Sequence, residues 1–238
     1  MGLAMAQQLL QPANTLVCIA RHSNPDLTAA ALAADAALQQ WQMDLSRGQA
    51  AAEHLLAWLK KQAPTSFASA TLINNAGVIP RLAPLSNSAP ADLANALRVG
   101  LEAPMQLTAA FLQATADWGI QRKVLNISSG LGRRAMASQA AYCAAKAGMD
   151  HFTRCLAIDE AAKPHGAKVC SLAPGVIDTD MQAQLRATPA ADFPDAPNFA
   201  HLKSGGLLTS PTDAATRVLA WLDRADFGTQ AVADVREG

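Results

Sequence analysis

Short β-rich runs alternate with longer alanine-rich helical runs along most of this 238-residue chain, and that alternation is what most limits its fold. The runs "TLVCIA" from Thr15, "ATLINNAG" from Ala70, "KVLNISSG" from Lys123 and "AKVCSLAPG" from Ala167 are apolar without a period of two. Such strands are buried on both faces, as in a parallel sheet covered by helices. A further strand is predicted in "QQWQMDL", ending at Leu45, and a closing one in "TQAVADV". Between them the pattern predicts helices over Gly2–Gln11 (Leu3, Ala6 and Leu10 on one face), from near Leu27, over Ser46–Lys61 (Leu55, Leu56 and Leu59 inward), Ala91–Asp117, Gln139–Ala162, and in "PTDAATRVLAWL". The expected fold class is α/β, a doubly wound parallel sheet in a single domain over 1–238. Residues 178–206, rich in Pro, Ala and Asp, are expected to be an irregular lid over a substrate.

Composition narrows the function classes. Half the residues are hydrophobic and the formal net charge is zero, which argues against broad electrostatic capture of nucleic acid or anionic lipid. Cys18, Cys143, Cys155 and Cys170 are widely spaced with no CxxC pair, so neither a metal site nor a disulfide framework is expected. No apolar run reaches membrane-spanning length, and "MGLAMAQQLLQPAN" lacks the basic start of a secretory signal. The expected location is the cytoplasm and the expected partner a small molecule.

In doubly wound sheets ligands bind beyond the carboxyl ends of the strands. Conspicuous polar residues fall there: Arg21, Asp44, Asn74–Gly77, Ser128–Ser129 and Pro174–Thr179. Further on, "AYCAAKAG" places Tyr142, the chain's only tyrosine, four residues before Lys146. That spacing puts both on one helix face, with only small residues between them. A phenol with an ordinary pKa of about 10 is a poor acid at neutral pH. A neighbouring ammonium is expected to lower that pKa.

Taken in order, "NNAG", "NISSG", "YCAAK" and "PGVIDT" resemble the motifs of the short-chain dehydrogenase/reductase family, and the resemblance spans nearly the whole chain. "APGVIDTDMQAQLR" and the ending "FGTQAVADVRE" are similar to the branch holding sepiapterin reductases and bacterial benzil reductases. The resemblance implies NADPH-dependent reduction of a ketone or vicinal dicarbonyl to an alcohol. It implies that Ser129, Tyr142 and Lys146 are catalytic. Arg21 would bind the 2′-phosphate of NADP(H), while Asp44 and Leu45 would flank the adenine. Gly2, Asn75, Ala76 and Gly77, together with Pro174, Val176, Ile177 and Thr179, would complete the cofactor site with Tyr142 and Lys146. Asp234 matches the acid that anchors a pterin, or is simply a surface acid closing a strand. A homodimer through the two long helices is also implied.

Two departures bear on these expectations. Gly100 replaces the family's asparagine, so the helix is expected to bend there and expose a backbone carbonyl. "MGLAMAQQLL" resembles the tail of the family's glycine-rich motif, with Gly2 as its last glycine. The first strand and the earlier glycines of that motif are therefore expected to lie upstream, either because an internal Met was taken as the start or because upstream residues are missing from this sequence. A rival reading is a catalytically impaired NADP(H)-sensing or interaction protein of the same fold.

Overall fold

A computed structural model describes residues 1–237. The chain opens with helix α1 (Gly2–Leu9) and runs through β1 (Thr15–Ala20), α2 (Pro25–Ala33), β2 (Ala37–Gln42), α3 (Gly48–Leu59) and β3 (Ser69–Asn74). It continues with α4 (Pro90–Leu97), a π-helical turn over Arg98–Glu102, α5 (Ala103–Ala114), β4 (Gln121–Ile127), α6 (Ala140–Ala161) and β5 (Lys168–Ala173). The last elements are α7 (Asp180–Ala187), α8 (Ala196–Ser204), α9 (Pro211–Leu222) and β6 (Val232–Asp234).

Local chemistry sets several of these boundaries. The Asn24 side chain accepts a hydrogen bond from Leu27 N, with Pro25 in the first turn of α2. Ser210 Oγ accepts from Asp213 N ahead of Pro211 in α9. Both are N-caps that satisfy amides which no helical carbonyl can reach.

All strand pairings among the described residues are parallel, but they form two sheets. One is β1–β2, and the other runs β3–β4–β5–β6. Among the described residues no hydrogen-bonded ladder joins β1 to β3, so each has an edge unpaired there. The middle residues of β1 are accordingly only half-buried, whereas β5 is buried from Val169 to Ala173. The two sheets share one apolar layer: Ile19 and Trp41 pack at the margin of a cluster built on Leu55, Leu59, Leu107, Phe111, Val124 and Val169. The opposite face is covered by α1 and α9, with Met5, Val218 and Leu222 on Leu125, Ile127, Cys170 and Leu172.

The structure corrects several expectations. In α1 the buried residues are Ala4, Met5 and Ala6, while Leu3 is 45% exposed. β2 stops at Gln42, because Asp44 caps a 3-10 turn that begins at Leu45. The closing strand is only Val232–Asp234. Residues 178–206 are not irregular throughout: α7 and α8 lie there, held by a small core of Phe193, Phe199, Leu185 and Leu82. The bend at Gly100 is a π-helical turn, the insertion that lets α4 run into α5 off-register.

Candidate active site

The carboxyl ends of β3, β4 and β5 carry the polar groups. Asn74, the last residue of β3, is buried and donates to Asn126 Oδ1 (2.8 Å) and Thr108 Oγ1 (3.1 Å). Asn126 donates in turn to Thr153 Oγ1 on α6 (2.9 Å). This ladder ties α5, β3, β4 and α6 together, so Asn74 is structural. Asn75, Ala76 and Gly77 continue beyond it in the loop after β3.

Gly77 and Gly2 mark a cradle. A Cβ on Gly77 would stand 3.7 Å from Lys146 Nζ, and one on Gly2 would meet Asn75 Nδ2 at 2.7 Å. The start of α1, the loop after β3 and Lys146 therefore converge. Arg21 and Asp44 sit at the ends of β1 and β2, where Met43 N donates to Ala20 O. Hydrogen bonds from Ser46, with Arg21 and Arg47 nearby, hold the Asp44 carboxyl below the ordinary aspartate value. Leu45 follows in the same turn, half-buried.

After β5, Gly175 takes φ +83°, a left-handed conformation that glycine adopts without strain. The turn lets Val176 and Ile177 leave the sheet: Val176 O accepts from Thr209 N, and Ile177 bridges Thr209. Pro174 precedes that turn, and Thr179 stands at the N-terminus of α7. These residues rim the same end of the sheet as Gly77.

Tyr142 lies in the first turn of α6, and Ser129 caps the turn after β4 by accepting from Leu131 N. Lys146 is 3% exposed; its Nζ lies 5.8 Å from the centre of the Tyr142 ring and donates to Ile127 O at 2.7 Å. Burial lowers the Lys146 pKa to about 8, with Asp150 opposing the shift. Burial pushes the Tyr142 phenol up, while hydrogen bonding from Ser129 favours its ionised form. The expectation that Lys146 lowers the phenol pKa fails here. Desolvation of the buried phenol dominates.

Asp234 is 2% exposed, and both of its oxygens accept from Arg236 (2.8 and 2.6 Å). Burial with an arginine across both oxygens departs from an open, ligand-facing acid. Beside α7, a cavity of about 470 Å³ is lined by Arg81, Leu82, Gln184, Thr188, Pro189 and Asp192. None of Ser129, Tyr142 or Lys146 reaches it. Sequence reasoning missed Asn126, Thr108 and Asp150. Thr108 and Asp150 gave no signal beyond polarity at positions that periodicity places inward, while Asn126 opened the "NISSG" motif with no role assigned to it.

The family model for short chain dehydrogenases matches residues 1–190. The chain belongs to that family. A benzil reductase ((S)-benzoin forming) of Bacillus cereus is 34% identical over 227 residues, covering 95% of this chain and 91% of that protein. A sepiapterin reductase of Meriones unguiculatus is 32% identical over 175 residues, 72% of this chain and 64% of the other. Among solved structures, a metagenomic short-chain oxidoreductase in complex with NADP superposes with TM-score 0.69 at 25% identity, covering 97% of this chain and 88% of that one. The parallel α/β architecture of this dehydrogenase-family chain is thus that of a Rossmann-like oxidoreductase fold.

Proposed function

We propose that the chain is an NADPH-dependent carbonyl reductase acting on a ketone or vicinal dicarbonyl of the benzil type. The observation that carries this reading is the approach of Ser129, Tyr142 and Lys146 at the carboxyl end of β4, opposite Gly77. The similarity to benzil reductase over 95% of the chain supports the substrate class. Arg21 supports NADP(H) over NAD(H), because a guanidinium suits a 2′-phosphate and no acid stands before Asp26. A pterin substrate is disfavoured by the engagement of Asp234 with Arg236.

The residues fit a dinucleotide. Gly2 and Asn75 would face its phosphates, Arg21, Asp44 and Leu45 its adenosine end, and Pro174, Val176, Ile177 and Thr179 its carboxamide. Ala76 and Gly77 would pass beside the ribose that Lys146 holds. When bound, the nicotinamide supplies a hydride to the carbonyl carbon. Tyr142 then gives its phenolic proton to the carbonyl oxygen, and Ser129 donates a hydrogen bond to that oxygen as negative charge grows there. Lys146, still an ammonium below about pH 8, offsets the charge left on the phenolate. The 178–206 segment would close over the substrate: Ser138 Oγ already donates to Asp192 O at 2.6 Å, docking the lid beside α6.

A homodimer in the cytoplasm completes the proposal. Leu97, Met105 and Ile158 are exposed on α4, α5 and α6, and Ile158 is 73% exposed. Among the described residues, no helix is long and apolar enough to cross a membrane. NADPH oxidation measured across a panel of diketones and aryl ketones tests the reading. Turnover of benzil supports it. Tight NADPH binding with no turnover of any carbonyl would favour the cofactor-sensing alternative.

A further inference from the structure

Lys146 and Asp150 lie one turn apart on α6 and grip two consecutive residues of β4 and its exit. Lys146 Nζ donates to Ile127 O at 2.7 Å, and Asp150 Oδ1 accepts from Ser128 Oγ at 2.5 Å. Ser129 is the next residue. Asp150 Oδ1 also accepts from Ser171 Oγ of β5 at 2.7 Å. Its Oδ2 has no hydrogen-bond partner and lies 3.3 Å from Arg133 Nε. Asp150 is 1% exposed, so its charge is balanced inside the protein.

The loop after Ser129 is fitted to this carboxylate. A Cβ on Gly132 would stand 2.9 Å from Asp150 Oδ2 and 3.0 Å from Lys146 O, so only glycine lets the loop lie against this turn of α6. Arg133 follows, and it also donates to Ala233 O of β6 at 2.8 Å. One carboxylate therefore fixes both ends of the segment Ser128–Arg133, and Ser129 lies inside it.

From these contacts we propose that Asp150 is a positioning residue of the reductase site: it holds Ser129 through Ser128 and keeps Lys146 charged from the next turn. The inference rests on the catalytic reading of Ser129, Tyr142 and Lys146. The charged and titratable groups facing Asp150 are few. Arg133 comes from the loop, Lys146 from its own helix, and Cys170 from β5, where burial pushes the thiol up to about 11. Asp234 of β6 lies beyond Arg133 at 3.9 Å and is neutralised by Arg236. Lys146 and Arg133 are thus the only nearby cations among the described residues that can answer its charge.

Asp150→Asn tests this, because the amide oxygen can still accept from Ser128 and Ser171 while the charge is gone. In the full chain labelled at lysine side-chain nitrogens, with Lys146→Met used for assignment, the Lys146 titration should move down by about one pH unit. The alkaline limb of ketone reduction should move down with it, and Asp150→Glu should restore both. If Asp150→Asn does not fold, Arg133→Gln serves instead; it leaves Lys146 as the one cation facing Asp150, so the Lys146 titration should move up. A titration midpoint that stays in place in the folded variant overturns the proposal, even if thermal stability falls. A moved midpoint in a protein that reduces no ketone would leave Asp150 in this role and count against the catalytic reading instead.

Discussion

Gly100 and Ala145 pack so closely that a Cβ on the glycine would stand 3.0 Å from the alanine Cβ. Ala145 sits between Tyr142 and Lys146, so the π-helical turn around Gly100 is pressed against the segment of α6 that carries both side chains. A side chain at 100 would push that segment rather than merely raise helix propensity. Gly100→Asn is therefore expected to destabilise by about 1–3 kcal/mol, the usual cost of overpacking a filled site. It should also lower turnover. A variant with unchanged melting temperature and unchanged kcat would show that the contact yields freely.

Ser129→Ala should lower kcat while leaving NADPH affinity almost unchanged, since the hydroxyl is assigned to the carbonyl oxygen and not to the cofactor. Loss of one such donor costs roughly a hundredfold or more in kcat. Steady-state kinetics with benzil, alongside NADPH binding by fluorescence, separates the two quantities. An equal fall in cofactor affinity would move Ser129 out of that role.

Arg21→Ala should weaken NADPH far more than NADH. A charge-assisted contact to phosphate contributes about 1.5–3 kcal/mol, a factor of roughly ten to a hundred or more in affinity. Titration of both cofactors against wild type and variant checks this. Equal losses would mean that Arg21 does not read the phosphate.

The Lys146 pKa of about 8 has opposite consequences for rate and stability. Reduction is expected to decline as pH rises through about 8, because the cation beside the phenol is lost there. In the unfolded chain the lysine keeps its ordinary value of 10.5, so between these limits the unfolded state binds more protons. This group's contribution to stability therefore rises with pH across that window. Lys146→Met should abolish turnover and flatten that part of the stability profile. A stability difference between the two proteins that falls as pH rises would contradict the assignment.

The divided sheet predicts uneven protection. Among the described residues β1 and β2 pair only with each other and stay partly exposed, while β4 and β5 are paired on both sides and largely buried. Backbone amides of β1 should exchange with deuterium roughly tenfold or more faster than those of β4 and β5. Equal protection would mean that the shared layer of α3 and α5 makes both sheets one cooperative unit.

Much of this was legible in the sequence because it depends on order and period. Buried strands announce themselves as apolar runs, and Tyr142 and Lys146 fall at a spacing that puts both on one helix face, whereas Ser129 was singled out by the family resemblance. Helices α7 and α8 were not legible. "TPAADFPDAPNFA" has three prolines and weak periodicity, and its order comes from burying Phe193 and Phe199 against Leu82 and Leu185. Asp150 looked like one more polar residue on a long helix. Its role depends on Ser128, Ser171 and Arg133, which only the fold brings within reach. The phenol's pKa depends on the fold for a related reason: sequence shows that a lysine is one turn away but not how deeply the phenol is buried.

The central claim is that Tyr142 protonates a carbonyl in an NADPH-dependent reduction. The most direct measurement is NADPH oxidation with benzil by wild type and Tyr142→Phe, after both have been shown to bind NADPH. The ring's packing survives in the variant, whereas the only proton it could deliver is gone. Steady benzil reduction by wild type, with the variant at background and NADPH affinity within about twofold, is the result expected from general-acid catalysis. Comparable turnover by both proteins would contradict the account.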